Sequence, residues 1–439
     1  MLKSKVVKII GAGLAGCEAA YFLAEHGIKV KLYEMKSIKR TEAQQSDNFA
    51  ELVCSNSLKS DQKTSASGLL KAELEALDSL ILKCAKLTRV PAGNSLSVDR
   101  EKFSQLITKK IKEHKNIEII EEVVVNFDVN IPTIIATGPL CDNALFKYIS
   151  SLIGNDNCYF YDAIAPIVSA ESIDYSRAFW ANRYDQGDSK DYLNCYMYED
   201  EYKVFVEQLI NAERIKLHSF EKLKVFEGCM PIEILAQRGE KSLRYGPMKP
   251  VGLSKKVEGQ KPFAIVQLRK ENLEGTYLNM VGFQTNLTYK EQKRVFSLIP
   301  ALKNAEFVRY GSMHRNSYIN SPRCLNVYSQ LKQFPNIFVA GQISGVEGYM
   351  ESVASGLYCA INMLLYIKGK PLQGLPETTC IGALMHYISS ASEINFQPMN
   401  ANYGIISAED IKDKTIKKEE IFKNSQREIE NFKERFYGQ

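Results

Sequence analysis

The stretch that decides the fold is residues 5–34, KVVKIIGAGLAGCEAAYFLAEHGIKVKLYE. Residues 5–10 are an apolar run that ends at Gly11, which is typical of a buried parallel strand. Residues 14–26 have the apolar periodicity of a helix, and Gly27 is placed to end that helix at its C-cap. Residues 28–34 alternate as a second strand. This order predicts a β–α–β unit at the start of an α/β fold.

The turn inside this unit has the spacing G-x-G-x-x-G. Its first glycine permits a tight turn, its second lets backbone N–H groups approach a pyrophosphate, and its third lets the helix pack closely on the strand. The helix N-terminus then faces the phosphates with its positive dipole end. A carboxylate about twenty residues later, at the end of the second strand, is suited to accept hydrogen bonds from ribose hydroxyls. We therefore predict a dinucleotide site at Gly11, Ala12, Gly13, Leu14, Ala15, Gly16 and Glu34.

Composition narrows the class of protein. The 439 residues are 45% hydrophobic and 24% charged, which is ordinary for a globular chain of two or three domains. The net charge of +5 permits nucleic-acid binding without requiring it. We find no signal peptide and no apolar run of about 20 residues, and so we expect a cytoplasmic protein that does not enter a membrane. The ten cysteines contain no Cys-x-x-Cys pair, which argues against a zinc site or a disulfide scaffold.

Two later segments favour FAD as the dinucleotide. Residues 337–348, IFVAGQISGVEG, read as strand, turn and helix start, and resemble the C-terminal flavin-contacting element of two-dinucleotide-fold flavoproteins. Residues 134–138, IIATG, resemble the middle Ala-Thr-Gly element of that superfamily. The resemblance implies cofactor contacts at Gln342, Gly345 and Gly348. Gln342 stands where many relatives carry an aspartate, so an amide would meet the ribityl chain.

The remaining pattern predicts a doubly wound Rossmann-type FAD-binding domain interrupted by a smaller mixed α/β insertion domain. We expect residues 1–155 to form the first part of the FAD domain, 156–314 the insertion and substrate domain, and 315–439 the second part of the FAD domain with a C-terminal helix. Helical periodicity covers 68–85, and strands are expected at 117–127 and 131–137. The charged tail, 407–436, reads as a helix with a solvated face.

Longer blocks resemble one family, the folate- and FAD-dependent tRNA (uracil-5-)-methyltransferases, TrmFO. They include ELVCSNSLKSD, VPAGNSLSVDR, FEGCMPIEILAQRGEKSLRYGPMKPVGL, VGFQTNLTYKEQKRVF, FVRYGSMHRNSYINSP and GQISGVEGYMESVASG, and they are spread over nearly the whole chain. The resemblance implies that a carbon from 5,10-methylenetetrahydrofolate is reduced by FADH2 and placed on C5 of a uracil in RNA, giving 5-methyluridine. NAD(P)H would regenerate the reduced flavin.

Two cysteines lie in these family blocks, Cys54 and Cys229. Uracil C5 is a poor nucleophile until a soft nucleophile such as a thiolate adds at C6, and a base must later remove the C5 proton. We assign Cys229 to the attack at C6 and Cys54 to proton transfer or handling of the carbon, with exchange of the two roles left open.

RNA contacts are predicted just after Cys229. Basic side chains there are suited to a phosphate backbone, and a tyrosine among them is suited to stack on a splayed base; a solvated basic loop is the alternative. The candidates are Arg238, Lys241, Arg244, Tyr245 and Lys249. His314 and Arg315 belong to another family block, and we expect them to face flavin or folate.

Several alternatives stay open. The T-loop uridine of tRNA is the preferred target, and a ribosomal RNA uridine is the alternative. A related flavin- and folate-linked family modifies tRNA wobble uridines, but its members are much longer and carry a C-terminal helical domain. A small-molecule flavin oxidoreductase is a third class, although a disulfide reductase would need a cysteine pair that the chain lacks. No protein partner can be inferred.

Overall fold

The computed structural model describes residues 6–41, 43–154, 158–185, 190–215, 230–253, 261–394, 396–408 and 413–438. Up to the start of the insertion the elements are β1 (Val6–Ile10), α1 (Leu14–Glu25), β2 (Lys29–Glu34), β3 (Ser57–Ser60), α2 (Ala66–Ala76), α3 (Leu80–Leu87), β4 (Arg89–Val90), β5 (Ser95–Val98), α4 (Arg100–Lys112), β6 (Ile117–Glu121), β7 (Thr133–Ile135) and α5 (Asn143–Ile153).

The middle of the chain contains β8 (Cys158–Ala163), β9 (Ile167–Ser169), β10 (Ala178–Trp180), β11 (Tyr192–Met197), α6 (Glu199–Ile210), α7 (Ile232–Gln237), α8 (Ser242–Tyr245), β12 (Ala264–Lys270), β13 (Tyr277–Met280), α9 (Tyr289–Phe296), β14 (Phe307–Arg309) and β15 (Met313–Tyr318). The last part contains α10 (Ser321–Cys324), β16 (Gln330–Leu331), β17 (Phe334–Val339), α11 (Tyr349–Ile367), α12 (Cys380–Ser390) and α13 (Lys414–Tyr437).

The largest unit is built on a six-stranded sheet with the order β16-β17-β7-β1-β2-β6. Strands β17, β7, β1, β2 and β6 run parallel, and only β16 is antiparallel to its neighbour. Helices α1 and α11 pack in the main core on one face, whereas α5 contributes to a separate core with the opposite side chains of β1, β7 and β17. Helices on both faces of a mostly parallel sheet confirm the predicted doubly wound α/β class.

The predicted β–α–β unit is confirmed to within one or two residues at each boundary. The first helix spans Leu14–Glu25, His26 is its C-cap, and Gly27 has a φ of +80°. Because that φ is in the left-handed region that favours glycine, the chain can turn there directly into β2.

A second, antiparallel sheet has the order β10-β11-β12-β13-β9-β14. Helices α6, α7 and α9 bury apolar side chains against one of its faces. The chain enters this unit through β8 and leaves it through β15, and these two strands pair with each other as an antiparallel ribbon. The unit is therefore inserted into the nucleotide-binding domain at a single place.

The insertion contacts the nucleotide-binding domain through the turn that joins β12 and β13. Glu271 in this turn pairs with Arg100 at 3.0 Å, and Glu274 pairs with Lys102 at 2.7 Å. Both partners lie in the first turn of α4, which Asp99 caps by accepting a hydrogen bond from the Lys102 backbone N–H. The charged start of α4 thus holds the two units together.

Three expectations about secondary structure are corrected. Residues 68–85 form parts of two helices, α2 and α3, because Asp78 has a φ of +65° and the Ser79 hydroxyl caps a new helix. The strand that starts at Ile117 ends at Glu121, and the next strand spans only Thr133–Ile135.

The tail helix α13 has a buried face. Ile421, Ser425, Ile429 and Phe432 are at most 4% exposed, and their spacing of three and four residues places them on one side of the helix. Their apolar members join the main core. The predicted solvated face is therefore only the opposite half of this helix.

The expectation that the chain has no apolar run of about 20 residues is wrong for helix α11. Its residues, Tyr349–Ile367, are long enough and apolar enough to cross a membrane by length and composition alone, but 94% of the qualifying window is buried inside the protein. Gly356 lets it cross α1 closely, because a Cβ there would lie 2.4 Å from the Ala15 carbonyl oxygen. The apolar character of α11 reflects its position in the core.

Candidate active site

A cleft of about 1050 Å³ lies at the C-terminal ends of β1, β2 and β7. It is lined by Gly11, Gly13, Leu14, Ala15, Glu34, the 136–138 segment, Gly341 and Gln342, among others. The three glycine-containing segments that the sequence suggested for a dinucleotide therefore share one cleft. This is the usual ligand position in a doubly wound sheet.

The glycine turn has the geometry that a pyrophosphate needs. Gly11 has a φ of +103°, and a Cβ at that position would lie 2.5 Å from the Ala136 carbonyl oxygen. A Cβ at Gly16 would lie 1.8 Å from the Gly11 carbonyl oxygen, so this glycine permits the close approach of helix and turn. Gly13 lines the cleft, and a Cβ there would meet no protein atom within 4 Å. The space beside Gly13 is thus left open for a ligand.

Glu34 connects the turn to the end of β2. Its Oε2 accepts a hydrogen bond from the Ala12 backbone N–H at 2.8 Å, and its Oε1 accepts from Met35 and Lys36 backbone N–H groups at 2.9 Å each. These bonds fix the carboxylate at the cleft wall, where a ribose hydroxyl can still donate to it. Ala12 does not itself line the cleft, because its N–H is turned toward Glu34.

The predicted C-terminal cofactor residues occupy different places. Gln342 lines the dinucleotide cleft, and its amide donates to Glu347 Oε2 at 2.5 Å. Gly348 has a φ of +121° and lines a neighbouring cleft at the N-terminus of α11. Gly345 lines neither cleft, because a Cβ there would lie 2.6 Å from the Phe396 ring.

The neighbouring cleft encloses about 1000 Å³ and shares Val53, Pro139, Leu140, Gln342 and Tyr349 with the dinucleotide cleft. It lies between the two units, because its wall includes Ile164, Gln284 and Asn316 as well as residues of the nucleotide-binding domain. Cys54 lines this second cleft and is half-buried. A thiol is therefore placed on the wall of the second cleft, one residue after Val53, which lines both clefts.

The Tyr349 hydroxyl holds the backbone of the Cys54 loop. Tyr349 Oη accepts hydrogen bonds from the backbone N–H groups of Cys54 at 2.8 Å and Ser55 at 3.2 Å. Burial raises the pKa of the Tyr349 phenol, so this group stays protonated at neutral pH. The side chain thus acts as a neutral acceptor at the start of α11.

Side chains of the insertion fasten the other end of the loop. Arg269 donates from Nη2 to Ser55 Oγ at 2.8 Å and from Nε to Asn56 Oδ1 at 3.0 Å. The Asn56 amide donates to the Val98 carbonyl oxygen at 3.0 Å and to the Lys270 carbonyl oxygen at 2.9 Å. The position of Cys54 therefore depends on the docking of both units.

Two guanidinium groups act on the Cys54 thiol. Arg100 and Arg309 both interact electrostatically with it. Arg100 donates to the Leu52 carbonyl oxygen, and Arg309 donates to the Ala43 carbonyl oxygen at 3.1 Å. Burial, followed by the charge of Arg100, lowers the pKa of Arg309, which still leaves a guanidinium charged at neutral pH. Cys54 therefore lies in an electropositive part of the site.

The other described cysteines have different surroundings. Cys17 and Cys195 are fully buried, and burial raises the pKa of each thiol. Cys141 lines the dinucleotide cleft, but burial raises its pKa to about 12. These thiols are protonated at neutral pH and are poor nucleophiles.

The residues suggested for RNA contact lie around α7 and α8, and none of them lines either cleft. Arg238, Lys241 and Tyr245 are exposed, and Lys249 is half-buried. Arg244 is partly engaged within the insertion, since its Nε donates to the Phe263 carbonyl oxygen at 2.8 Å and its guanidinium lies 4.3 Å from the Phe263 ring centre.

For three of the predicted site residues the structure describes no side chain. Cys229 lies outside the described residues. The backbones of His314 and Arg315 belong to β15, opposite Asp162 and Tyr161 of β8, and their side chains lie outside the described part of the chain.

Sequence reasoning did not single out Arg100, Arg309 or Tyr349. All three stand inside blocks that carried the family resemblance: SVDR, FVRYGS and VEGYM. Their membership of these blocks was the available signal. Their convergence on Cys54 depends on tertiary contacts between segments separated by up to 295 residues.

A family model and several curated relatives match most of the chain. Residues 6–371 match the family model described as glucose inhibited division protein A. The chain is 54% identical over 402 residues to the methylenetetrahydrofolate–tRNA-(uracil-5-)-methyltransferase TrmFO of Acetivibrio thermocellus, which covers 92% of both chains. It is 54% identical to that of Caldicellulosiruptor bescii, over 94% of this chain and 95% of the relative. It is 50% identical to that of Streptococcus pneumoniae, over 98% and 99%.

Among solved structures, GidA of Aquifex aeolicus is similar, with a TM-score of 0.67 at 16% identity, covering 98% of this chain and 75% of that one. At this identity the likeness shows the fold alone, and it is in keeping with the nucleotide-binding sheet and its insertion. The far higher identity to the curated relatives separates this chain from GidA itself. The chain therefore belongs to the TrmFO family of methylenetetrahydrofolate–tRNA-(uracil-5-)-methyltransferases.

Proposed function

We propose that this protein transfers the one-carbon unit of 5,10-methylenetetrahydrofolate to C5 of a uridine in tRNA, with FAD bound in the dinucleotide cleft. The observation that carries the proposal is the position of Cys54 on the wall of a second cleft that adjoins the dinucleotide cleft. Its relatives at 50–54% identity are named for this reaction on tRNA.

The nucleotide-binding residues fit FAD. The Gly11–Gly13 turn leaves room for a pyrophosphate, and the Glu34 carboxylate is an acceptor for ribose hydroxyls. The reduced flavin would supply the hydride that turns the transferred carbon into a methyl group, with NAD(P)H as the source of electrons. Gln342 and Tyr349 line both clefts, so they separate the cofactor from the folate and uracil that would enter the second one.

Two thiols would activate the uracil. The Cys229 thiolate adds to C6, and the electron pair of the C5–C6 bond moves toward C5, which makes C5 nucleophilic. C5 then bonds to the one-carbon unit as the first of that carbon's two bonds to folate nitrogens breaks. Cys54 Sγ takes the C5 proton, and the electron pair left on C5 forms a double bond to the one-carbon unit while its second bond to a folate nitrogen breaks. A hydride added to this carbon would give the methyl group, and the sulfur of Cys229 leaves C6 as the C5–C6 double bond re-forms. Arg100 and Arg309 would supply positive charge near Cys54 during this proton transfer.

The chain path supports the place of Cys229 in this scheme. The Ile232 backbone N–H donates to the Gln284 carbonyl oxygen at 2.7 Å, and Gln284 lines the same cleft as Cys54. Ile232, which follows Cys229 by three positions in the sequence, therefore lies beside that cleft. The residue-by-residue assignment of Cys229 and Cys54 is part of the proposal.

The finer statements belong to the same proposal. The target would be the T-loop uridine of tRNA, and the protein would act in the cytoplasm. Arg238, Lys241, Tyr245 and Lys249 would contact the RNA from the insertion, with Arg244 stabilising the loop that carries them. A ribosomal RNA uridine is the alternative target, and the experiment below distinguishes the two.

The test is transfer of label from radiolabelled methylenetetrahydrofolate into RNA by the purified, flavin-containing protein. We expect Cys229→Ala and Cys54→Ala to abolish transfer while keeping the flavin, and Cys324→Ser, a buried cysteine outside both clefts, to keep both. Label at the wild-type rate in the Cys229 variant would refute its role as nucleophile. Label found only in ribosomal RNA would refute the tRNA assignment.

A further inference from the structure

Three aromatic rings on the insertion form a stacked ladder that ends at the surface. Tyr289 and Tyr310 have ring centres 5.0 Å apart and planes 16° apart, and Tyr310 and Phe307 have centres 5.3 Å apart and planes 12° apart. Phe307 packs against the core of the insertion, whereas Tyr289 is 55% exposed. Stacking on two further rings holds the outermost tyrosine in one orientation.

The ladder is fastened to the wall of the cleft that contains Cys54. Tyr310 lies between Arg309, whose guanidinium reaches the Ala43 carbonyl oxygen, and Gly311. The Gly311 N–H donates to Gln292 Oε1 at 2.7 Å, and a Cβ at Gly311 would lie 2.6 Å from the Ile164 carbonyl oxygen. Ala43 and Ile164 both line the cleft, so the ladder stands close to its rim.

The surface around Tyr289 is basic. Helix α9 carries Lys290, Lys293 and Arg294 against one acidic residue, Glu291. Arg294 pairs with Glu291 at 2.7 Å, so the acidic charge is neutralised locally. Lys290 and Lys293 are exposed, and the spacing of Tyr289 and Lys293 by four residues places them side by side on the helix.

An exposed, rigid aromatic face beside two lysines has the chemistry of a single-stranded RNA contact. A base stacks on such a ring whatever its identity, and lysines hold the flanking phosphates. We propose that Tyr289 stacks on an unpaired base of the tRNA substrate near the target uridine, with Lys290 and Lys293 on adjacent phosphates. This inference rests on the proposed function and adds to it a docking surface outside the reaction cleft.

Binding of an unmodified tRNA transcript to the flavin-loaded protein tests this surface. We expect Tyr289→Ala to weaken binding by about tenfold, because one stacked base is lost, and Tyr289→Phe to bind within about twofold of wild type. Tyr175→Ala, which removes another exposed tyrosine of the insertion, is the matched control and should bind as wild type does.

The lysines give a second readout on the same patch. The double variant Lys290→Gln, Lys293→Gln should reduce the slope of log affinity against log salt concentration by about 1 to 2, with the flavin content unchanged. Equal binding by wild type and Tyr289→Ala, or an unchanged salt slope in the lysine variant, would overturn the inference. A wild-type protein that neither binds nor methylates the transcript would instead overturn the proposed function itself.

Discussion

Removing the Tyr349 hydroxyl separates the positioning of Cys54 from the rest of the site. Tyr349→Phe keeps the ring that lines both clefts but deletes the oxygen that accepts the Cys54 and Ser55 backbone N–H groups. Both donors then lose this acceptor, which weakens the hold on the loop that carries Cys54.

The expected magnitude follows from those two bonds. Each links a part-buried donor to a neutral acceptor, so losing the acceptor costs about 1 kcal/mol per donor, or about 2 kcal/mol in total. If this energy serves to hold the thiol in its reactive position, kcat should fall about 30-fold. KM for the RNA should change little, because the phenol oxygen is not placed in the proposed RNA contact.

Steady-state transfer of label from methylenetetrahydrofolate measures both constants. Tyr358→Phe is the control: it lies on the same helix and loses one hydrogen bond, to the Val327 carbonyl oxygen at 3.0 Å, but lines neither cleft. It should reduce stability without a selective effect on kcat. A Tyr349 variant whose kcat stays within about threefold of wild type would show that the hydroxyl does not position Cys54.

Three further outcomes are expected. Gly16→Ala should prevent folding of the nucleotide turn, since its Cβ would lie 1.8 Å from the Gly11 carbonyl oxygen. Gly13→Ala should fold, because its Cβ meets no protein atom within 4 Å, but it should bind less flavin. The flavin absorbance of the purified proteins measures both outcomes. Burial raises the pKa of Glu73 to about 7, so the unfolded chain ionises first and the free energy of unfolding falls by up to about 3 kcal/mol as pH rises from about 4.5 to about 7. Glu73→Gln should remove this dependence of the free energy of unfolding on pH, which denaturant unfolding at several pH values measures. The reasoning is wrong if the variant and the wild type lose stability equally over this pH range. Arg269→Met removes two hydrogen bonds to the Cys54 loop, so it should lower the free energy of unfolding by about 3 kcal/mol and also reduce methyl transfer. A variant with the thermal stability of the wild type would contradict this prediction.

The sequence predicted those parts of the fold that local chemistry decides. The β–α–β unit was predictable because its glycines, its apolar strand and its helix periodicity all indicate the same structure within 30 residues. The broken helix at Asp78 was not, since a left-handed φ is uncommon for a residue other than glycine and the apolar periodicity continues across it. The tail helix was read as solvated because its buried residues are few and separated by charges, and only the core against which it packs identifies its inner face.

The candidate site divides along the same line. Gly11, Gly13 and Glu34 were predictable because a phosphate and a ribose require those residue types at that spacing. The arginines near Cys54 were not predictable, because an arginine in a structural ion pair and an arginine at an active site look the same in a sequence. Only the fold shows that Arg100 of α4 and Arg309 of β14 both lie near this cysteine. Cys229 and the side chains of His314 and Arg315 stay predictions.

The β8–β15 ribbon has a consequence for how this molecule is organised as a whole. Cys158 lies directly opposite Tyr318, so the first and last residues of the insertion are neighbours, with Cα atoms roughly 5 Å apart. A polypeptide whose two ends meet in this way is a cassette: it can lengthen, shrink or be exchanged without altering the strand order of its host. A shortened chain closed by a two-residue turn at that junction is therefore the natural design for isolating the nucleotide-binding sheet.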